Sequence, residues 1–203
     1  MEPPASERLL SLDAFRGLTI AGMILVNNAG DWSYVFPPLQ HAAWDGWTPA
    51  DLIFPFFLFI VGVSMSFSLS RRARQSHNLT KLYLQVVRRT SILFFLGLFL
   101  NALYYIPGGF SFSVLRIPGV LQRIAVVYFF ASLIMLKTAP REQAAIATCL
   151  LLWYWAVMKL VPVPGYGAGV LTPQGNFAAY LDNLLLHGHL KEDVWDPEGI
   201  LST

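Results

Sequence analysis

Cysteine is almost absent from this chain: the single residue, Cys149, lies inside an apolar run. An intramolecular disulfide and a cysteine-built metal cluster are therefore both excluded. Charge is scarce too, since Asp, Glu, Lys and Arg make up only 13% of 203 residues. The formal net charge of +2 is not laid out as a basic face interleaved with aromatics, so nucleic acid is not an expected partner. The N-terminus lacks a basic n-region, carrying Glu2, Glu7 and Arg8, and no small-residue cleavage site closes a short apolar stretch. The first apolar segment is thus expected to be a retained anchor rather than a removed signal. Internal repeats, heptads and low-complexity tracts are also missing.

What the chain does have is apolar mass in blocks, with 55% hydrophobic residues and a mean hydropathy of +0.52. A hydrocarbon core of about 30 Å takes roughly 20 apolar helical residues. Five segments meet that length, running approximately Leu12–Gly30, Ala50–Leu69, Thr90–Ile106, Pro118–Leu136 and Gln143–Val161. The expected fold is all-α: a polytopic transmembrane helix bundle with about five spans, forming an incomplete part of a larger bundle. Residues 1–161 would form the transmembrane core and 162–203 an extracytoplasmic, largely unstructured tail.

Orientation follows from the connections, because short cytoplasmic loops are enriched in Lys and Arg. The second connection carries Arg71, Arg72, Arg74, Lys81, Arg88 and Arg89 with no acid, and the fourth carries Lys137 and Arg141. The first has Asp31, Asp45 and Asp51 without a base, the third only Arg116, and the tail Lys191 against five acids. The N-terminus is therefore expected to be cytoplasmic, and the first loop to lie on the opposite face.

That loop holds the best candidate for chemistry. In QHAAWDGWTPADLIFP, His41 precedes the second apolar run by a few residues, at the mouth of a span. An imidazole there can take a proton or carry a group near neutral pH. Thr48, Pro49 and Asp51 read as N-cap, first and third helical positions of a capping box, and Pro55 is expected to bend the helix one turn later. Pro107, Gly108, Gly109 and Pro118 mark an outer turn, and Pro162, Pro164, Gly165, Gly167 and Gly169 the start of the tail. At 1.5 Å per residue, Asn27, Asn28, Asn101, Gln122 and Arg123 fall in the outer layer that His41 and Asp51 cap. Singly, each has a plain role: amides join helices, Arg123 can reach head groups, and Asp51 caps. Their shared depth points to a site. At the inner end of span one, Asp13 and Arg16 are spaced for an intrahelical ion pair, with Ser11 as N-cap. Arg16 could also hold a phosphate bidentately.

The blocks SLDAFRG, VNN, QHAAWDGWTPADLIFPFFLFIVGVSMS and LRIPGVLQRIAVVYF, with NFAAYLDN and DPEGILST in the tail, resemble the transmembrane heparan-α-glucosaminide N-acetyltransferase family and its bacterial homologues. The resemblance extends from Arg8 onward. It implies an integral-membrane acyltransferase in a bacterial cytoplasmic membrane that takes acetyl from cytosolic acetyl-coenzyme A. The acceptor is an amine of a glucosamine-type sugar or cell-envelope glycan across the membrane. The family's histidine matches His41, as base or acetyl carrier, and its asparagine matches Asn27. Substrate contacts are then expected from Arg123, Gln122, Asn28, Asn101 and Asp51, and a coenzyme contact from Arg16, with no metal. Lipid and a homo-oligomer are kept among the partners. Two other readings compete: a transporter or flippase using His41 for proton coupling, and a membrane O-acetyltransferase, in which a histidine would stand at Asn27 or Asn28.

Overall fold

The computed structural model describes residues 10–75, 79–105, 112, 115–191 and 195–203. Glu2, Glu7, Arg8, Ile106, Pro107, Gly108 and Gly109, and the tail acids Glu192 and Asp193, lie outside them. The described residues form six α-helices and one two-residue hairpin: α1 Leu10–Asn27, α2 Pro49–Gln75, α3 Leu79–Tyr105, α4 Val120–Lys137, α5 Pro140–Leu160, β1 Pro162–Val163, β2 Gly167–Ala168 and α6 Phe177–Leu186. The first five helices are long and apolar enough to cross a membrane. On α5 no residue is buried, and Leu150, Leu151, Leu152, Trp153 and Trp155 are each more than half exposed. Such a surface suits a hydrocarbon solvent and not water.

Local chemistry fixes the helix ends. Pro49 opens α2 and Asp51 accepts back from the Thr48 amide at 2.9 Å, one half of the expected capping box. The Thr48 hydroxyl lies 2.6 Å from the Gln40 carbonyl and donates there, closing the preceding loop. Pro140 opens α5, where Glu142 accepts from the Ala139 amide at 2.7 Å. Asn176 caps α6 by accepting from the Ala179 amide at 2.8 Å. The helix runs on through Pro55, whose missing N–H leaves one backbone carbonyl unused. Ser11 lies inside α1 and is not its N-cap. The start of α3 at Leu79 rather than Thr90 reflects an amphipathic first stretch that buries Leu82 and Val86.

The chain divides into two compact units, residues 1–70 and 71–203. In the first, α1 meets α2 through Phe15 and Phe56, with ring centroids 5.7 Å apart, and at Gly22, where a Cβ would come within 3.3 Å of Ile53. Ile60 is its fully buried centre. In the second, α3 packs on α4 at Gly97, where a Cβ would stand 2.8 Å from that of Leu121. Small residues at such contacts let helices approach in a membrane, where apolar packing alone has little drive.

The segment 162–203 departs from the expected unstructured tail. The β1–β2 hairpin turns through Gly165 at φ 84° and packs against α5 and α6. Residues 196–203 are tied down by side chains, as described next.

Candidate functional site

In the first unit, Asp51 collects the loop. Its Oδ1 lies 2.6 Å from His41 Nδ1, and its Oδ2 accepts from the backbone amides of Ala42 at 3.2 Å and Thr48 at 2.9 Å. The Thr48 hydroxyl approaches the same oxygen at 3.1 Å. A carboxylate at this spacing only accepts, so His41 Nδ1 carries a proton and donates to Asp51, and in the neutral ring Nε2 is the nitrogen that bears the lone pair. The His41 side chain is 56% exposed and Asp51 28%, leaving the imidazole open to a reactant while its orienting partner is shielded. A carboxylate, an imidazole in a fixed tautomer and an open Nε2 are the parts of a general base or a nucleophile. Trp32, Tyr34, Phe36 and Trp47 stand exposed around this loop, a composition found where protein meets the head-group layer.

Asn27 and Asn28 end α1 and fold back on it, their amides donating to Met23 O at 2.9 Å and Ile24 O at 2.8 Å. Each is exposed and keeps a second N–H. Neither bonds to His41 among the described residues. At the other end of α1, Arg16 donates to Asp13 at 3.0 Å and to Ser64 at 2.6 Å, so the ion pair read from spacing also ties α1 to α2.

In the second unit, Asn101 and Gln122 meet around Gly119, where a Cβ would stand 3.2 Å from Asn101 Nδ2 and 2.7 Å from Gln122 Oε1. Asn101 donates to the carbonyls of Arg116 at 3.0 Å and Pro118 at 3.1 Å, holding the extended segment that leads into α4. Gln122 is buried, and its Nε2 has no hydrogen-bond partner among the described residues. Arg123 donates to the carbonyls of Pro197 and Ser202, gripping residues 196–203.

A polar cluster absent from the candidates read off the sequence secures the same segment. Arg116 donates Nε to Asp196 at 2.8 Å and Nη2 to Asp196 at 2.6 Å, and also to Glu198. Asp196 further accepts from the amides of Lys191 at 2.8 Å and Glu198 at 3.0 Å. Burial alone would raise the Asp196 carboxyl, yet Arg116 and these amides hold it below its ordinary value. The same acids outweigh burial at Arg116 and push its guanidinium up. Asp182 is buried with no cation beside it among the described residues, accepts from the Ile200 amide at 2.7 Å and has its carboxyl raised, chiefly by burial. The acids of DPEG, placed opposite the one base of the third connection, were the available sign of this pairing.

Five helices long and apolar enough to cross a membrane, with a histidine–carboxylate pair at the start of the second, define a multi-pass membrane protein with an acid–base group at its surface. The profile described as "Heparan-alpha-glucosaminide N-acetyltransferase, catalytic" matches residues 8–178, and the chain belongs to that family. It is 33% identical over 241 residues to the human heparan-alpha-glucosaminide N-acetyltransferase, covering 97% of this chain and 36% of the relative. The mouse protein of the same name is 31% identical over 244 residues, covering 98% and 37%. The chain thus spans little more than a third of the length of these curated relatives.

Proposed function

We propose that this chain provides the histidine-bearing part of a membrane N-acetyltransferase, moving acetyl from acetyl-coenzyme A to an amine of a glucosamine-type sugar. The observation that carries the reading is the 2.6 Å contact between His41 Nδ1 and Asp51, which leaves Nε2 open. Nε2 can take a proton from the amine as nitrogen attacks the thioester carbonyl; the C–N bond forms, the C–S bond breaks, and the thiolate leaves and is protonated. In the other route Nε2 itself attacks, the thiolate departs, and an acetyl-imidazole with Nδ1–H on Asp51 passes its acetyl to the amine. The free N–H of Asn27, or that of Asn28, is suited to the oxyanion of either tetrahedral intermediate, a contribution of roughly 10²–10³ in rate.

The loop charges support an N-terminus in the cytosol and His41 on the far face: Arg71, Arg72, Lys81, Arg88 and Arg89 lie in the connection expected to be cytosolic, whereas Asp31 and Asp45 flank His41. On that reading Arg16 is a cytosol-side candidate for a coenzyme phosphate, through the N–H groups left free by Asp13 and Ser64. A bacterial cytoplasmic membrane and a cell-envelope amino sugar are the setting we favour. The test is release of free thiol from acetyl-coenzyme A with glucosamine as acceptor, using the protein in proteoliposomes. Release that drops by about 10² or more in His41→Ala is expected. Release unchanged by that substitution refutes the reading.

A further inference from the structure

From Arg71 to Arg141 the chain contains no Asp or Glu, and the first acid beyond, Glu142, accepts from the Ala139 amide at the start of α5. Arg116 and Arg123, toward one end of α4, are answered by residues 196–203. Toward the other end, Arg72, Arg88 and Arg89 are exposed, and none of the three pairs with an acid among the described residues.

Two contacts draw these cations together. Arg72 Nη1 donates to Gln85 Oε1 at 3.4 Å, and Gln85 lies one turn before Arg88 and Arg89 on α3, the spacing of neighbours on a helix surface. The Arg89 guanidinium stands 5.9 Å from the centre of the Tyr128 ring, which holds it toward α4. Like charges at such spacing repel, so the cluster lacks an anion.

Depth says which anion. Helices α3 and α4 run antiparallel, since Gly97 faces Leu121 and Arg89 faces Tyr128. Carried on, that register sets Lys81 level with Lys137, the last residue of the α4 span. Arg88 and Arg89 then lie about 10–12 Å, or two turns, further into the hydrocarbon layer. Exposed Leu84 and Ile92 stand one turn to either side of Arg88 on the same face. A soluble anion would have to leave water to reach that depth, whereas a lipid head group is drawn in as the guanidinium side chains reach out to it.

We propose that Arg72, Arg88 and Arg89 hold the phosphate of an anionic phospholipid, with its acyl chains along Leu84 and Ile92. Guanidinium forks suit phosphate oxygens, and a zwitterionic lipid fits less well because its own ammonium competes. Lys81 and Lys137 add positive field at the head-group level. Such a site needs neither acetyl transfer nor a particular side of the membrane.

The test reconstitutes the purified 203-residue chain in phosphatidylcholine vesicles carrying a trace of spin-labelled phosphatidylglycerol or spin-labelled phosphatidylcholine. The fraction of each label immobilised by the protein is compared. Phosphatidylglycerol should be favoured about fivefold or more, the worth of one arginine at an anionic head group. Arg88→Gln and Arg89→Gln should each lower the preference and together abolish it, whereas Lys159→Gln, in the last turn of α5, should leave it intact. Coenzyme A or inorganic phosphate, added at matched ionic strength, should not displace the lipid. Equal immobilisation of the two lipids, a preference that survives the double substitution in a protein of unchanged helicity, or its loss to coenzyme A or phosphate, overturns the proposal.

Discussion

Replacing Asp51 by Asn separates two roles that one carboxylate performs here. Its Oδ2 faces the amides of Ala42 and Thr48 and the Thr48 hydroxyl, whereas Oδ1 faces only His41 among the described residues. An asparagine must turn its NH₂ one way or the other. Turned toward the loop, it meets two backbone N–H donors and leaves them unpaired, at about 1–3 kcal/mol each. Turned toward His41, it costs about 1 kcal/mol or less, because the ring can answer with an acceptor. The second orientation wins. His41 Nδ1 must then accept, its proton moves to Nε2, and the lone pair that serves as base or nucleophile is lost. A wrong tautomer in a histidine–carboxylate pair costs about 10⁴ in kcat.

We therefore expect Asp51→Asn to cut thiol release from acetyl-coenzyme A by about 10³–10⁴ while leaving thermal stability nearly unchanged. Asp51→Ala removes the bond to the Thr48 amide as well and should also cost about 1–2 kcal/mol of stability. Activity of Asp51→Asn within about threefold of the parent, alongside a destabilised Asp51→Ala, would show that Asp51 is a helix cap only, against the tautomer argument.

If His41 carries the acetyl, labelled acetyl-coenzyme A without acceptor should leave acid-labile label on the protein that is absent in His41→Ala; a protein that turns over without ever holding label uses His41 as a base. In a Cys149→Ala background, cysteines at Ser33 and Gln174 should react with an impermeant thiol reagent in intact cells and one at Glu142 should not, and equal labelling would overturn the orientation. Asp196→Ala leaves Arg116 with Glu198 as its remaining acid and should cost about 3 kcal/mol, read as a lower melting temperature and faster proteolysis near residues 196–203. Because the folded Asp196 carboxyl lies below 3.8, its contribution is present above that pH and is lost as pH falls through the lowered value, so acid should loosen this segment in the parent and much less in Asp196→Asn. Gln122→Leu, which replaces an unpaired buried donor by an apolar side chain, should hold or raise the melting temperature, and a clear drop would mean that Nε2 is satisfied after all.

The spans were legible because a bilayer sets a length that any hydropathy window can see. The first stretch of α3 was not, since Leu82 and Val86 are buried amid Lys81, Gln85, Arg88 and Arg89 and only their spacing marks the helix. The tail was misread for a related reason. Its acids were counted as a sum that reports sidedness, and a sum does not distinguish a solvated acid from one buried against Arg116 or the Ile200 amide. Proline and glycine in 162–169 were read as the start of the tail, and the hairpin they make packs against its neighbours α5 and α6.

The place of His41 in the loop before α2 was legible, whereas its contact with Asp51 was not. Asp51 announced itself as the third residue of a capped helix, and that role is real. Its pairing with His41 depends on the intervening loop closing, which the Thr48 hydroxyl achieves by donating to the Gln40 carbonyl at 2.6 Å. That bond brings the residue before the histidine to the start of α2, so the carboxylate that caps the helix also faces the ring. No spacing rule encodes such a closure, because residues ten apart meet only if the loop between them folds back. Capping and orientation of the imidazole thus share one side chain, and the helix end that fixes Asp51 also sets which ring nitrogen of His41 faces it. A substitution that loosens the first turn of α2, such as Thr48→Val, should on this account reduce acetyl transfer without touching the imidazole. Its loss should be rescued in part by Thr48→Ser, which keeps the hydroxyl. Equal activity in Thr48→Val and the parent would show that the loop closes without this bond and that the pair is set by other contacts.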